Sequence, residues 1–162
     1  MIALLLIGML AGDGSERPAE TPRVDAVVVV KSERTLTLLA HGKVIRTYKV
    51  KLGGTPVGAK ERQGDHKTPE GHYLLDRRNP KSQFYKSIHV SYPSAGDVRR
   101  AQQKGYPPGG DIMIHGLPND RADREAALRT PDWTDGCVAV TDTEMDEIWK
   151  LVADGTPIEI KP

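Results

Sequence analysis

Residues 24–51 read VDAVVVVKSERTLTLLAHGKVIRTYKVK, and this stretch decides the fold. Val24 to Val30, Thr35 to Ala40 and Val44 to Lys51 are short runs rich in β-branched residues, separated by turn chemistry at Lys31-Ser32-Glu33-Arg34 and at His41-Gly42. Thr35 and Thr37 alternate with Leu36 and Leu38, the period of a half-buried strand, whereas Val27 to Val30 is unbroken and predicts a strand covered on both faces. The segment is therefore an antiparallel meander.

Downstream, Gly53 to Lys67 carries four glycines, one proline and several charges without periodicity, the pattern of a long exposed loop, and it leads into Thr68-Pro69-Glu70-Gly71. Strands are predicted at His72 to Leu75 and Ser87 to Tyr92, a short polar helix at Ala95 to Lys104, and a turn at Tyr106 to Gly110. Asp111 to Ile114 reads as a strand that delivers His115 at its end. Arg121 to Leu128 is either a short charged helix or a flexible lid over a site. Thr141 with Glu144 forms a capping box for a helix to about Val152, with Met145, Ile148, Trp149 and Val152 on its inner face. Gly155 stops that helix, and Ile158 to Ile160 is a closing strand. The expected fold is mainly β: two packed sheets with two or three short peripheral helices.

Upstream, the apolar run Ile2 to Leu10 precedes Asp13, Gly14, Ser15 and Pro18, which reads as a signal segment over 1–11 and a linker over 12–22. The run is too short to span a bilayer, so no stable membrane span is expected, and a buried first strand is the competing reading. One domain is expected over residues 23–162, exported to the periplasm or beyond.

The 23 Lys and Arg balance 22 Asp and Glu, so no basic excess exists to neutralise phosphates and nucleic acid is not an expected partner. Cys137 is the single cysteine, which rules out an intramolecular disulfide and invites a chemical explanation, the plain alternative being a packed core thiol. It follows Thr134-Asp135-Gly136 and precedes Val138-Ala139-Val140, where a loop enters a strand, and Gly136 permits the sharp backbone that aims adjacent N–H groups at one oxygen.

A nucleophilic thiol needs a base within reach. All five histidines, His41, His66, His72, His89 and His115, precede Cys137, an order that excludes direct analogy with papain-like peptidases, and no Arg follows Cys137 to serve as a sortase-type oxyanion holder. His115 is the best candidate, since it ends an apolar strand and opens the loop Gly116-Leu117-Pro118-Asn119. His41, His66 and His72 read as solvated surface residues, and His89 as a structural histidine first and a substrate contact second. No zinc-ligand spacing is present, and neither a metal nor a cofactor is implied.

His115-Gly116, seventeen residues from Leu117 to Trp133, and Thr134-Asp135-Gly136-Cys137 together resemble the signature of the L,D-transpeptidase catalytic domain family. The likeness extends to Val28-Val29-Val30-Lys31-Ser32, Leu36-Thr37-Leu38 and Lys67-Thr68-Pro69-Glu70-Gly71-His72-Tyr73, and covers about residues 24–161. The resemblance implies the L,D-transpeptidase catalytic fold and a peptidoglycan stem peptide as substrate. It implies that Cys137 attacks, that His115 moves the proton and is oriented by the Gly116 carbonyl, and that backbone N–H groups of Asp135, Gly136 and Cys137 hold the oxyanion. His89, Asp132, Trp133 and Thr134 are expected substrate contacts. Two positions depart from the pattern: Asp135 replaces the usual histidine before Gly-Cys, and Ala139 replaces the Asn or Arg common in cross-linking members. With Asn79-Pro80-Lys81-Ser82 and Gly109-Gly110-Asp111-Ile112-Met113-Ile114, they resemble a periplasmic subgroup that releases peptidoglycan-linked lipoprotein. Transpeptidation, hydrolytic release of lipoprotein, and a catalytically silent wall-binding module all remain open at this point.

Overall fold

The structure is a computed structural model and describes residues 22–162. The expected signal segment and all of the expected linker except Pro22 lie outside the described residues. The meander is present as β1 (Ala26–Val30), β2 (Thr35–Ala40) and β3 (Lys43–Lys49), paired antiparallel in that order. Val27 and Val29 are buried, while Ala26, Val28 and Val30 are half-buried. The unbroken valine run thus has one core face and one partly covered face, not two covered ones; β-branched residues suit the pleat on either side.

β4 (Gly71–Ser82) runs well past the expected Leu75, through Asp76-Arg77-Arg78-Asn79-Pro80-Lys81. Its outer half pairs only with β5 (Tyr85–Val90), with register shifts at Leu75/Arg77 and Asn79/Ser82. The second shift accommodates Pro80, which has no N–H for the ladder. β8 (Thr156–Lys161) lies between β1, parallel, and β4, antiparallel. β6 (Met113–His115) pairs antiparallel with β5, and β7 (Val138–Ala139) pairs parallel with β6.

One eight-stranded sheet results, in the order β3-β2-β1-β8-β4-β5-β6-β7. The two expected layers are its two halves: Val29 and Leu36 from one end share a core with Ile88, Ile114 and Val138 from the other. Each such fully buried aliphatic side chain contributes roughly 1.5–3 kcal/mol.

The sheet curls until its two edges meet. Beyond β3, Lys51 and Ala139 exchange both backbone hydrogen bonds, at 2.9 and 2.8 Å. Thr134 N–H donates to the Leu52 carbonyl at 3.1 Å, and Gly54 N–H donates to the Thr134 carbonyl at 3.0 Å. Asp132 locks the seam: Oδ1 accepts from Leu52 N–H at 3.0 Å, and Oδ2 accepts from the Arg34 guanidinium at 3.1 and 2.8 Å.

Three helices surround the sheet: α1 (Ala95–Gln103), α2 (Arg121–Arg129) and α3 (Asp142–Leu151). α3 begins at the predicted Thr141–Glu144 capping box and buries Met145 and Ile148. α2 is a docked helix and not a loose lid. Asp120 caps its N-terminus, Arg124 pairs with Asp142 at 2.6 Å, and Lys51 Nζ donates to the carbonyls of Ala127, Leu128 and Thr130. A cation at a helix C-terminus satisfies orphan carbonyls and complements the dipole. No helix of the described residues is long and apolar enough to cross a membrane.

Asp132→Ala strands the Leu52 N–H and the Arg34 guanidinium, and is expected to lower unfolding free energy by about 1–3 kcal/mol. Urea denaturation followed by circular dichroism checks this; an unchanged midpoint would show that the backbone seam holds without its carboxylate.

Candidate active site

His115 closes β6, paired with Ser87 of β5 on one side and Ala139 of β7 on the other. Ile114 faces the core, so alternation turns His115 to the opposite face of the sheet. Its Nδ1 lies 2.7 Å from the Gly116 carbonyl oxygen, to which it donates, leaving Nε2 as the acceptor of the neutral ring. The Gly116 N–H donates to the Phe84 carbonyl at 3.1 Å, and the Leu117 N–H to Asp142 Oδ1 at 2.9 Å, fixing the backbone that orients the imidazole.

Cys137 stands at the seam, immediately before β7. Thr134 Oγ1 donates to the Cys137 carbonyl at 2.8 Å and accepts from Gly136 N–H at 3.2 Å, folding residues 134–137 into a closed turn. Gly136 has φ +130°, and a side chain there would press on the Lys67 carbonyl oxygen at 2.5 Å, so both conformation and space demand glycine. Of the three amides expected to hold an oxyanion, that of Gly136 is taken by the Thr134 hydroxyl. The Cys137 thiol approaches the Asp111 carbonyl at 3.5 Å, a residue held at φ +55°.

Cys137 and His115 line one cavity of about 840 Å³, together with Trp133, Thr134 and Asp135. Asp132 and His89, expected as substrate contacts, do not line it. Both Asp132 oxygens are spent on the seam, and His89 Nδ1 donates to Asp76 at 2.6 Å on the β4–β5 hairpin. Thr134 is 5% exposed and its hydroxyl serves the turn, so it is scaffold before it is a contact. Arg121 to Arg129 contributes nothing to the lining. His41 and His72 are exposed, as expected, with side chains at 92% and 82%.

Phe84 and His66 are among the lining residues that escaped the sequence reading. Phe84, in the β4–β5 turn, sits 4.6 Å from the His115 ring, centroid to centroid, and 5.9 Å from Trp133, whose ring meets His115 edge-on at 5.6 Å. His66, read as a surface residue, also lines the cavity and lies 2.7 Å from Asp135 through Nδ1. The loop that carries His66 is largely exposed, as its composition predicts, but it holds charges that are buried and paired. Lys60 is 7% exposed and donates to Asp65 at 2.8 Å, while Lys31 donates to the carbonyls of Gly58 and Thr68 and to Glu70. Four polar bonds to Asp65, from Lys60, Glu61, Arg62 and Lys67, hold its carboxyl down near 2 despite burial.

Burial beneath Phe84 and Trp133 draws the His115 imidazole down to about 4, against a smaller opposing effect of the Gly116 bond. Burial likewise pushes the Cys137 thiol up to about 11; a backbone hydrogen bond at Met113 opposes this, and the nearby Asp135 and Asp111 carboxylates add to it. At neutral pH the two groups are therefore thiol and neutral imidazole, and not a preformed ion pair. The Trp133 Nε1–H is buried without a protein partner among the described residues. No cluster of three or more His, Cys, Asp or Glu side chains among those residues is arranged to hold a metal ion.

Comparison with known proteins gives this geometry its context. Residues 24–160 match the family described as YkuD: L,D-transpeptidase catalytic domain. YafK of Escherichia coli (strain K12) is 30% identical over 172 aligned positions, spanning 94% of this chain and 62% of YafK. This chain thus spans less than two thirds of that relative. Among solved structures, the helical cell shape determining protein Pgp2 of Campylobacter jejuni superposes with a TM-score of 0.67 at 26% identity, covering 87% of this chain and 49% of Pgp2. An L,D-transpeptidase from Mycobacterium smegmatis superposes with a TM-score of 0.54 at 14% identity over 85% of this chain and 58% of its own, a likeness of fold alone. Sequence and fold agree: this chain belongs to the L,D-transpeptidase catalytic domain family.

Proposed function

We propose that the protein is a cysteine acyltransferase of peptidoglycan stem peptides, acting outside the cytoplasmic membrane. The observation that carries this reading is the shared cavity that Cys137 and the buried His115 ring both line, with Nδ1 anchored on Gly116 so that Nε2 is the basic atom. Cys137 Sγ attacks the carbonyl carbon of the L-centred stem residue as its proton passes to His115 Nε2. The N–H groups of Asp135 and Cys137 stabilise the oxyanion, joined by that of Gly136 if it leaves Thr134. The intermediate collapses, the C–N bond breaks, and His115 returns the proton to the departing amine, leaving a thioester. An amine acceptor then gives a cross-link or a wall-attached protein, and water gives cleavage. No metal or cofactor takes part in this scheme.

One observation favours a second reading, hydrolytic detachment of peptidoglycan-linked lipoprotein. Ala139, 2% exposed and committed through both backbone groups to Lys51, offers no polar side chain to grip an acceptor amine. Incubation with sacculi separates the two: released lipoprotein or tripeptide ends mark hydrolysis, new Dap-to-Dap cross-links mark transfer.

After exposure to muropeptides bearing a fourth D-Ala or a lipoprotein-derived lysine, mass spectrometry is expected to find a thioester adduct or a cleaved product with wild type and neither with Cys137→Ala. His115→Ala is expected to slow acylation by about 10²–10⁴-fold with folding unchanged. Absence of adduct and product from wild type on both substrates would replace this reading with a silent wall-binding module.

The acylation rate is expected to hold level through neutral pH and to fall only as pH drops through about 4, where His115 takes up its proton. On the alkaline side it rises toward about 11 as thiolate forms. Stopped-flow or quenched acylation across pH checks the sign; an acid limb near 6.5, where a solvated imidazole titrates, would mean that water reaches His115 past Phe84 and Trp133.

A further inference from the structure

The cavity holds a second imidazole for which the first half-reaction has no use. His66 stands at its mouth with its side chain 56% exposed, whereas His115 is 2% exposed. Its Nδ1 donates to Asp135 Oδ1 at 2.7 Å, which leaves Nε2 as acceptor, the arrangement of a carboxylate-oriented base. Asp135 lies two residues before the nucleophile.

The backbone at His66 is built, not incidental. It adopts φ +52°, a left-handed conformation uncommon outside glycine, and its surroundings hold it there. Those surroundings are visible. Its carbonyl accepts from Thr55 N–H at 3.0 Å and packs against Gly53, where any Cβ would collide with it; the same Cβ would lie 3.1 Å from the Gly136 Cα. On one side Asp65 is fixed by Lys60, and on the other the Lys67 carbonyl packs on Gly136. The strained residue is thus wedged against the turn that presents Cys137.

We infer that His66, oriented by Asp135, is the base that activates the incoming nucleophile in the second half-reaction. The inference rests on the acyl-enzyme reading above. A water or amine entering from the mouth gives its proton to His66 Nε2 as its oxygen or nitrogen bonds to the thioester carbon. The C–S bond breaks, and Cys137 Sγ leaves with the electron pair as thiolate. The His66 imidazolium releases its proton to solvent, and the thiolate takes one back from solvent by way of His115. Two histidines thus divide the work, the buried one serving the thiol and the exposed one serving the acceptor.

The test follows formation and decay of the adduct separately, by quenched-flow mass spectrometry with a tetrapeptide muropeptide as donor. His66→Asn is the variant of choice, because asparagine tolerates the left-handed backbone and carries no imidazole. Its adduct is expected to form at a rate within about threefold of wild type and to decay about 100-fold more slowly, with decay partly restored by added imidazole. Decay at the wild-type rate overturns the assignment. Formation and decay slowed together, with no response to imidazole, assign His66 to the scaffold and overturn it equally. Absence of any adduct from wild type instead overturns the acyl-enzyme reading itself.

Discussion

The closure of the curled sheet on itself is the constraint on which the rest depends. An eight-stranded antiparallel-rich sheet leaves two edges, and an unpaired edge costs unsatisfied backbone groups or invites another chain. Here residues 51–54 meet residues 132–139, and the pairing is completed by backbone bonds and by the Asp132 carboxylate. Cys137 sits inside that seam. Its position relative to β6, and therefore to His115, is set by the same bonds that finish the fold, so the placement of Cys137 and the closure of the sheet are one property. Lys51 makes the coupling tighter, since its backbone pairs with Ala139 while its ammonium holds the end of α2.

Desolvation then sets the chemistry. Phe84 and Trp133 cover His115 and favour its neutral form, and the same enclosure favours thiol over thiolate at Cys137. On the mechanism proposed above, a neutral pair keeps the thiol quiet until a carbonyl is bound. The proton then moves as the bond forms. An exposed thiolate, by contrast, would stand open to oxidation. The Trp133 Nε1–H, without a protein partner among the described residues, belongs to the same wall beside His115.

Most of the fold was legible because it follows from local pattern. The alternating Thr and Leu of β2, the turn residues at His41-Gly42 and the capping box at Thr141 are signals carried within a few residues of the elements they specify. β4 was cut short at Leu75 because Asp76-Arg77-Arg78-Asn79-Pro80 lacks apolar alternation; pairing with β5 and two bulges carry it on, and those are tertiary facts. That Cys137 and His115 line one cavity was legible from motif spacing. Phe84 was not, since a phenylalanine in a hairpin turn gives no local sign that the turn folds over a histidine thirty-one positions away. Asp132 was misread for a related reason: proximity to the cysteine in sequence suggested contact with substrate, but its carboxylate turns inward to Arg34 and Leu52.

His66 shows where sequence reasoning has its blind side. A glycine-rich, charged loop reads as solvent-exposed because its composition cannot form a conventional core, yet this loop is ordered by buried charges that find partners inside it. Lys31 reaches across from the end of β1, Lys60 and Asp65 pair within the loop, and Gly53 admits the His66 carbonyl. Each of these is a polar or steric fit between residues with no periodic relation, and each becomes visible only once the strands bring them together. The active-site wall is thus fixed by a different physics from the sheet it stands on: the sheet by apolar alternation, the wall by satisfied buried charge. Substitutions in the wall can therefore alter the chemistry of the cavity while the seam beneath continues to hold Cys137 and His115 in register.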